Sequence, residues 1–295
     1  METKHKSVLL QSTIETLKPF TKGVYVDATL GGGGHSKEIL AFLPDGSTMI
    51  VLDVDSQACN SFSDFIKKEY TNKTVQVKVI NDNFKNIALY TPKNVVAIIA
   101  DLGFSTDQLE GVNGLSFLKK GELDMRMDQS LKIKAKDLLN GLYLDELEKL
   151  FLTYGDFSFA RKLAKEICKQ RTIKLFETTY QLNSLIRKIV PFSLRKGNNK
   201  HPEAKVYQAL RIAVNDEINT LSEFLKISFD LLGPGGKLAI ITFHSGEDRI
   251  VKKYFRSLVD ENKAEFIVEK LKPSEDEIQN NKNSRSAHLR VIKKI

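Results

Sequence analysis

Tryptophan is absent from the 295 residues, and cysteine occurs only as Cys59 and Cys168. Two thiols are too few and too far apart for a disulfide framework, a metal cluster or a redox pair, so no metal site is expected. No apolar run approaches the ~20 residues of a membrane span. The opening Met1-Glu2-Thr3-Lys4-His5-Lys6-Ser7 lacks an apolar signal core. These absences lead to the expectation of a soluble protein in a reducing compartment, the cytoplasm, with no membrane partner. Acidic residues are the minority charge, 37 against 45 Lys and Arg, for a net charge of +8. That balance favours polyanionic partners such as nucleic acid. The 41% apolar content is enough to bury a full core.

What is present is first of all a repeating pattern. From Gly23 to Gly103, β-branched runs alternate with helical stretches, the pattern of a parallel sheet wrapped by crossover helices. Strands are predicted over Val24–Thr29, Thr48–Asp53, Val75–Ile80 and Val95–Asp101, with helices over Ser36–Leu43 and Ser56–Tyr70. The alternation then stops, and the next convincing strand is Lys237–Phe243. The intervening sequence is helical: Leu144, Leu147 and Phe151 form one stripe, Ala160, Leu163, Ala164 and Ile167 a second, and Leu182, Leu185, Ile186 and Ile189 a third. Residues 107 to 208 therefore read as a helical insertion. The stripe Val206, Leu210, Val214, Ile218, Leu221 and Leu225 predicts one long helix leading back to the sheet, ending before the turn Gly233-Pro234-Gly235-Gly236. Glu265–Leu271 and His288–Ile292 read as strands of an antiparallel edge.

The first strand opens through Gly31-Gly32-Gly33-Gly34 onto a helix start at His35-Ser36. Glycines there let the backbone turn sharply and approach a ligand, while free amides at the helix N-terminus can bond an acceptor. Asp53 and Asp55 follow by about 20 positions, at the end of the second strand, where a carboxylate can grip ribose hydroxyls. Nicotinamide enzymes and methyltransferases share these elements. The third Gly or Ala of a dinucleotide fingerprint is missing, since Ser36 or Lys37 stands there. No Gly-Lys-Ser/Thr phosphate loop is present. S-adenosylmethionine has no phosphate, and Asp27 upstream of the loop suits its ammonium group. A dehydrogenase using NAD and a catalytically silent RNA-binding module stand as alternatives.

The blocks His5-Lys6-Ser7-Val8-Leu9-Leu10, Asp27-Ala28-Thr29-Leu30-Gly31-Gly32-Gly33-Gly34-His35-Ser36, Asp101-Leu102-Gly103 with Gln108-Leu109, and Leu123-Asp124-Met125-Arg126-Met127-Asp128 occur in that order. They are followed by His201-Pro202, Gln208-Ala209-Leu210-Arg211-Ile212 with Val214-Asn215-Asp216-Glu217, Phe243-His244-Ser245 with Glu247-Asp248-Arg249, and Arg285-Ser286-Ala287. In these the chain resembles the RsmH/MraW family of ribosomal RNA small-subunit methyltransferases. The resemblance implies an α/β class I methyltransferase fold, Rossmann-like and doubly wound with a mostly parallel sheet, divided as 1–106 and 209–295 around a helical domain at 107–208. It implies S-adenosyl-L-methionine as cofactor and N4 methylation of a cytosine in the decoding centre of 16S ribosomal RNA, within the small subunit. Monomer and homodimer are both compatible with it. It further implies cofactor contacts from Gly33, Gly34, His35, Asp53, Phe84, Asp101 and Gln108. Gly246, Phe104, Thr106 and Asn113 depart from the family pattern.

A cytosine amine is a weak nucleophile, because its lone pair is delocalised into the ring. A group accepting one of its hydrogens would localise that pair, and Asp101 is the catalytic candidate, alongside a role in holding cofactor. Neither cysteine lies in a motif, Cys59 being expected on a helix surface, which argues against attack on the pyrimidine ring. Arg126, His244 and Arg285 are the substrate-binding candidates. Arg187, Lys188, Arg195, Lys196, Lys200 and Lys205 are candidates for phosphate contacts. A buried, hydrogen-bonded role is the other reading of His244.

Overall fold

The computed structural model describes residues 6–69, 74–103, 114–195 and 201–295. The chain divides into two compact units, Met1–Ser105 with Ile218–Ile295, and Thr106–Glu217.

The first unit is built on a seven-stranded sheet: β1 Val24–Asp27, β2 Thr48–Asp53, β3 Gln76–Asn81, β4 Val95–Asp101, β5 Leu232–Thr242, β6 Ala264–Leu271 and β7 His288–Lys294. Their order is β3-β2-β1-β4-β5-β7-β6. The first five run parallel, and β7 is antiparallel to both β5 and β6. This is the doubly wound, mostly parallel α/β sheet that the resemblance implies. The antiparallel tail forms as expected, with β7 inside the sheet and β6 at its edge. β1 is shorter than predicted, yet the ladder continues, since the amide of Ala28 donates to Ile99 and that of Leu30 to Leu52.

Strand residues sort by parity into two cores. Tyr25, Met49, Val51, Ala97, Ile99, Ala239 and Ile241 pack with Ile39, Leu40 and Phe62 on one face. Val26, Ile50, Leu52, Ile98, Ala100, Leu238 and Ile240 pack with Phe224, Leu225, Val251 and Phe255 on the other. Both faces are covered, which is why these strands read as continuous apolar runs and not as alternating ones. The helices carrying those partners are Gly34–Phe42, Ser56–Glu69, Glu217–Leu231 and Ser245–Asp260. Cys59 differs from expectation. It faces inward from Ser56–Glu69, its Sγ donating at 3.6 Å to the Asp53 carbonyl and at 3.5 Å to that of Ile80.

The predicted turn at Gly233–Gly236 is instead a bulge within β5. Val95 pairs with Leu232 and Ala97 with Lys237, so the glycine-proline stretch is extra length looped out of the ladder.

The second unit is helical, with Ala135–Gly141, Leu144–Thr153, Ala160–Arg171, Thr179–Ile189 and Glu203–Val214 around one core. All three predicted stripes point into it. The long return helix does not form as one piece. It breaks at Asn215-Asp216, where Asp216 adopts a left-handed backbone with φ of 49°. Val206, Leu210 and Val214 belong to the helical unit's core, whereas Leu221 and Leu225 belong to the sheet's. Apolar spacing carries on across the break because each half serves a different core. The return boundary accordingly falls after Glu217, later than the expected 208.

Arg290, on β7, is 2% exposed. Its Nε and Nη2 donate to the two oxygens of Asp248 at 2.8 and 3.0 Å, and Nη1 donates to the Glu269 carbonyl. Burial raises the Asp248 carboxyl, but the hydrogen bonds and charge of Arg290 outweigh it and hold the group below its ordinary value. Removing the carboxylate strands a buried cation. Asp248→Ala is expected to cost about 3–5 kcal/mol of stability in urea unfolding at neutral pH. In the wild type this contribution is present above the ordinary carboxylate range and lost as pH falls through the lowered Asp248 value. A loss below about 1 kcal/mol, the range of exposed pairs, would contradict this account.

Candidate cofactor and active site

The carboxyl ends of β1, β2 and β4 bring Asp27, Asp53 and Asp101 to one edge of the first unit's sheet. In doubly wound sheets that edge is where ligands bind.

Asp27 is 1% exposed. One oxygen accepts the Thr29 amide at 3.1 Å and the other the Ser36 hydroxyl at 2.6 Å. It thus clasps the strand end to the helix start beneath the glycine bend. Burial, the leading cause, pushes its carboxyl up to about 7.

In the bend itself, Gly33 has φ of 75° and caps the helix Gly34–Phe42. A Cβ there would press on the Phe62 ring at 2.8 Å, and one on Gly34 would overlap the Ser7 hydroxyl at 2.0 Å. The N-terminal segment is therefore laid directly against the loop. His35 Nε2 lies 3.1 Å from the Val8 carbonyl, which can only accept, so that nitrogen carries the proton. Its Nδ1 is 3.9 Å from Asp101 Oδ2. The Leu9 amide donates to Glu277 at 2.6 Å, and the Asn281 side chain to the Lys6 carbonyl at 3.0 Å. The opening block of the sequence is thus the loop's outer brace.

Asp53 accepts the Gly31 amide at 2.7 Å on one oxygen and the Asp55 amide at 2.9 Å on the other. Burial raises its carboxyl, and those amides pull against the rise. With the Val54 amide also bonding to it, the carboxylate still has lone-pair capacity for a hydroxyl donor. Asp55 does different work, capping the next helix by accepting from the Gln57 amide at 2.8 Å.

Asp101 ends β4, its amide donating to the Thr29 hydroxyl at 2.6 Å. Its Oδ1 is buried and accepts no hydrogen bond. Burial first, and then the nearby Asp27 carboxylate, push its carboxyl up to about 7. An unsatisfied buried acceptor is costly unless something fills it.

Phe84 opens the 3-10 turn Phe84–Leu89 after β3 and is half-buried, packed edge-on to Phe224 with centroids 4.9 Å apart. Asp82, not anticipated from the sequence, stands beside it and accepts from the Tyr90 hydroxyl at 2.6 Å and the Asn86 amide at 2.9 Å. It directly follows Asn81, the last residue of β3 and the partner of Asp53 across the β2–β3 ladder, so attention to strand ends would have found it.

His244 caps the helix Ser245–Asp260. Its Nδ1 accepts the Glu247 amide at 3.4 Å, while Glu247 Oε2 accepts the amides of Phe243 and His244 at 2.9 and 3.3 Å. Nδ1 is thereby committed to the helix cap, while Nε2 is buried without a hydrogen-bond partner and lies 3.1 Å from Glu247 Oε1. His244 and Glu247 form a capping box in which histidine takes the place usually held by Ser or Thr. A side chain on Gly246 would meet the His244 ring at 3.0 Å, so the departure at 246 leaves room for that ring. Arg285 is exposed in the turn Lys282–Ser286.

In the helical unit, Arg126 donates from Nε and Nη2 to the Asp124 oxygens at 2.6 and 2.9 Å, and from Nη1 to the Leu131 carbonyl at 2.7 Å. Gln129 accepts further bonds from Nη1 and Nη2. The guanidinium thus locks its own loop. Arg187 is bonded to Glu203 at 2.5 Å, Arg195 to the Val190 carbonyl at 3.0 Å and Lys205 to that of Asp156 at 2.8 Å. Lys188 is exposed. Gln108, Lys196 and Lys200, and the departures Phe104, Thr106 and Asn113, lie outside the described residues.

A family model described as the MraW methylase family matches residues 2–295. The chain is 38% identical over 313 residues to a ribosomal RNA small subunit methyltransferase H of Halothermothrix orenii, covering 99% of both. Proteins of that name from Clostridioides difficile and Clostridium botulinum are 38% and 40% identical over 316 residues, the full length of each. A match running from the N-terminal brace to the last strand, over the glycine bend, the sheet-edge carboxylates and the helical unit alike, establishes that the chain belongs to the MraW methylase family.

Proposed function

We propose that the acceptor of this methyltransferase is the exocyclic N4 amine of a cytidine in the decoding centre of 16S ribosomal RNA, in the small subunit and in the cytoplasm. The donor is S-adenosyl-L-methionine. The names of the full-length relatives support small-subunit ribosomal RNA as the substrate class. No helix among the described residues is long and apolar enough to cross a membrane. The observation that carries the choice of an amine is Asp101, a largely buried carboxylate with one oxygen lacking a hydrogen-bond partner beside the glycine bend.

The residues fit the cofactor. Asp53 offers lone-pair capacity for ribose hydroxyls, the bend presents helix-start amides, and the half-buried Phe84 ring can stack on adenine. Gly33, Gly34, His35 and Gln108 complete the proposed contact set, with Asp101 at its reactive end. When bound, the cofactor supplies a methyl group on a positively charged sulfur. The chain's own task is then positioning and proton handling. Asp101 accepts a hydrogen bond from the amine, localises the nitrogen lone pair as the new bond forms, and takes the proton that the nitrogen sheds. Only its ionised form can take that proton. Cys59 is no competing nucleophile: burial, first of all, pushes its thiol up to about 11. His244, Arg285 and Arg126 are proposed to order the RNA around the target, the first and third through the segments they lock.

Three outcomes follow. Mass-spectrometric mapping of small-subunit RNA after incubation with protein and S-adenosylmethionine should find the new methyl on a cytidine N4. A methyl on a ring carbon or a sugar oxygen would reject the amine mechanism, and RNA retention without methyl incorporation would point to a silent binding module. In single-turnover assays, wild-type rates should rise as pH increases through about 7, where Asp101 ionises. Asp101→Asn should lower the rate by roughly 100-fold or more and abolish that rise. A variant that keeps the same pH step would assign the titration to another group. Asp53→Ala should weaken S-adenosylmethionine binding by about tenfold or more in calorimetry, the loss of hydrogen bonds to a charged acceptor. Wild-type affinity for NAD in the same cell would contradict the cofactor assignment.

A further inference from the structure

Beyond the end of β5 the first unit carries a depression of about 470 Å³ lined by His244, Ser245, Arg249, Lys252, Lys270 and His288, among others. Arg249 and Lys252 come from one face of the helix Ser245–Asp260, three residues apart, and Lys270 from β6. All three are exposed. Asp248 is the acidic residue in the lining, and its carboxylate is taken up by the buried Arg290. Lys270 stands 3.9 Å from that same carboxylate. Among the described residues no carboxylate pairs with Arg249 or Lys252. By contrast Arg256, one helical turn further on, is neutralised by Glu269 at 3.0 Å. The positive charge therefore accumulates in the depression and not along the whole helix. Its field is felt locally: the His288 imidazole is held below its ordinary value, by burial first and then by Lys270.

The position is as telling as the charge. Asp101 pairs with Ile241 across the β4–β5 ladder, and the lining of the depression begins at Phe243 and His244, just past that point in β5's chain. Two cations without a carboxylate partner, and a third whose neighbouring carboxylate is already held by Arg290, suit an anionic group attached to the reacting molecule, and a nucleic acid strand carries a phosphate on every nucleotide.

We propose that this depression is a phosphate-binding subsite, in which Arg249, Lys252 and Lys270 hold the RNA backbone next to the nucleotide being methylated. The inference rests on the RNA methyltransferase reading above and adds to it a site for the strand rather than for the base. Phosphate contacts fix register and orientation without reading sequence, so the subsite sets where the target amine falls.

The test uses the full chain, unmethylated small subunits as methyl acceptor and a labelled single-stranded RNA for binding. Lys252→Ala with Lys270→Ala should raise KM for small subunits about tenfold and weaken RNA binding across sequences, with kcat and S-adenosylmethionine affinity unchanged. The slope of log affinity against log salt should fall by about 1.4, roughly 0.7 for each lost phosphate contact on a single strand. Lys67→Ala with Lys68→Ala makes the same change in net charge elsewhere on the unit and should leave all five measurements alone. Arg in place of both Lys252 and Lys270 should restore binding. The proposal is overturned if the first pair behaves like the control pair while wild-type protein methylates normally. It is also overturned if the same loss appears only with anionic lipid vesicles and not with RNA. Wild-type protein that transfers no methyl to small subunits would instead sink the underlying reading, and the two failures are distinguishable.

Discussion

The Asp27 carboxyl sits under the glycine bend with almost no exposure, accepting a strand-end amide and the first hydroxyl of the following helix. A charge in that place is costly, and its proximity to the end of β4 makes ionisation of Asp101 costly as well. The two groups rise together to about 7. One carboxylate is satisfied by the loop it clasps. The other has one oxygen lacking a hydrogen-bond partner, so the bend is held rigid by the same arrangement that leaves Asp101 poised between proton acceptor and acid near neutral pH. Stability and reactivity are thereby coupled at a single sheet edge.

The braces around that edge come from distant parts of the sequence. Ser7 fills the space against Gly34, Val8 fixes the tautomer of His35, and Leu9 is tied to Glu277 near the other end of the chain. A bend of consecutive glycines is conformationally permissive, and ordering it costs more backbone entropy than ordering other residues. Packing from both termini offsets that cost, which explains why the family pattern extends so far beyond the loop itself.

Most of the sheet was legible because its strands are buried on both faces and so stand out as apolar runs; β2 and β4 lie where the sequence puts them. The carboxylates at the strand ends were legible for a topological reason, since parallel strands present their carboxyl ends together. The break at Asp216 was not. Periodicity reports which side of a helix is apolar, and it does not report that Val214 and Leu221 are buried in different cores. Cys59 was misplaced because a helix of polar average composition still turns one stripe inward, here Cys59 with Phe62. The pairing of Arg290 with Asp248 lay beyond sequence reasoning, as it joins residues far apart in the chain through tertiary packing alone.

The same limit bears on the reading of basic residues. Sequence clustering favoured the stretch around Arg187 to Lys205, yet Arg187, Arg195 and Lys205 are engaged by a carboxylate or by main-chain carbonyls. A cation already bonded to its own chain gives up those bonds to take a phosphate, whereas Arg249 and Lys252 give up only water. Near Arg249 the one carboxylate in the lining is neutralised by an arginine with 2% exposure. The buried Arg290 thus has two effects at once. It anchors β7 to the helix Ser245–Asp260, and by occupying Asp248 it leaves the charge of Arg249 and Lys252 uncancelled, so that a core ion pair determines the sign of the depression above it.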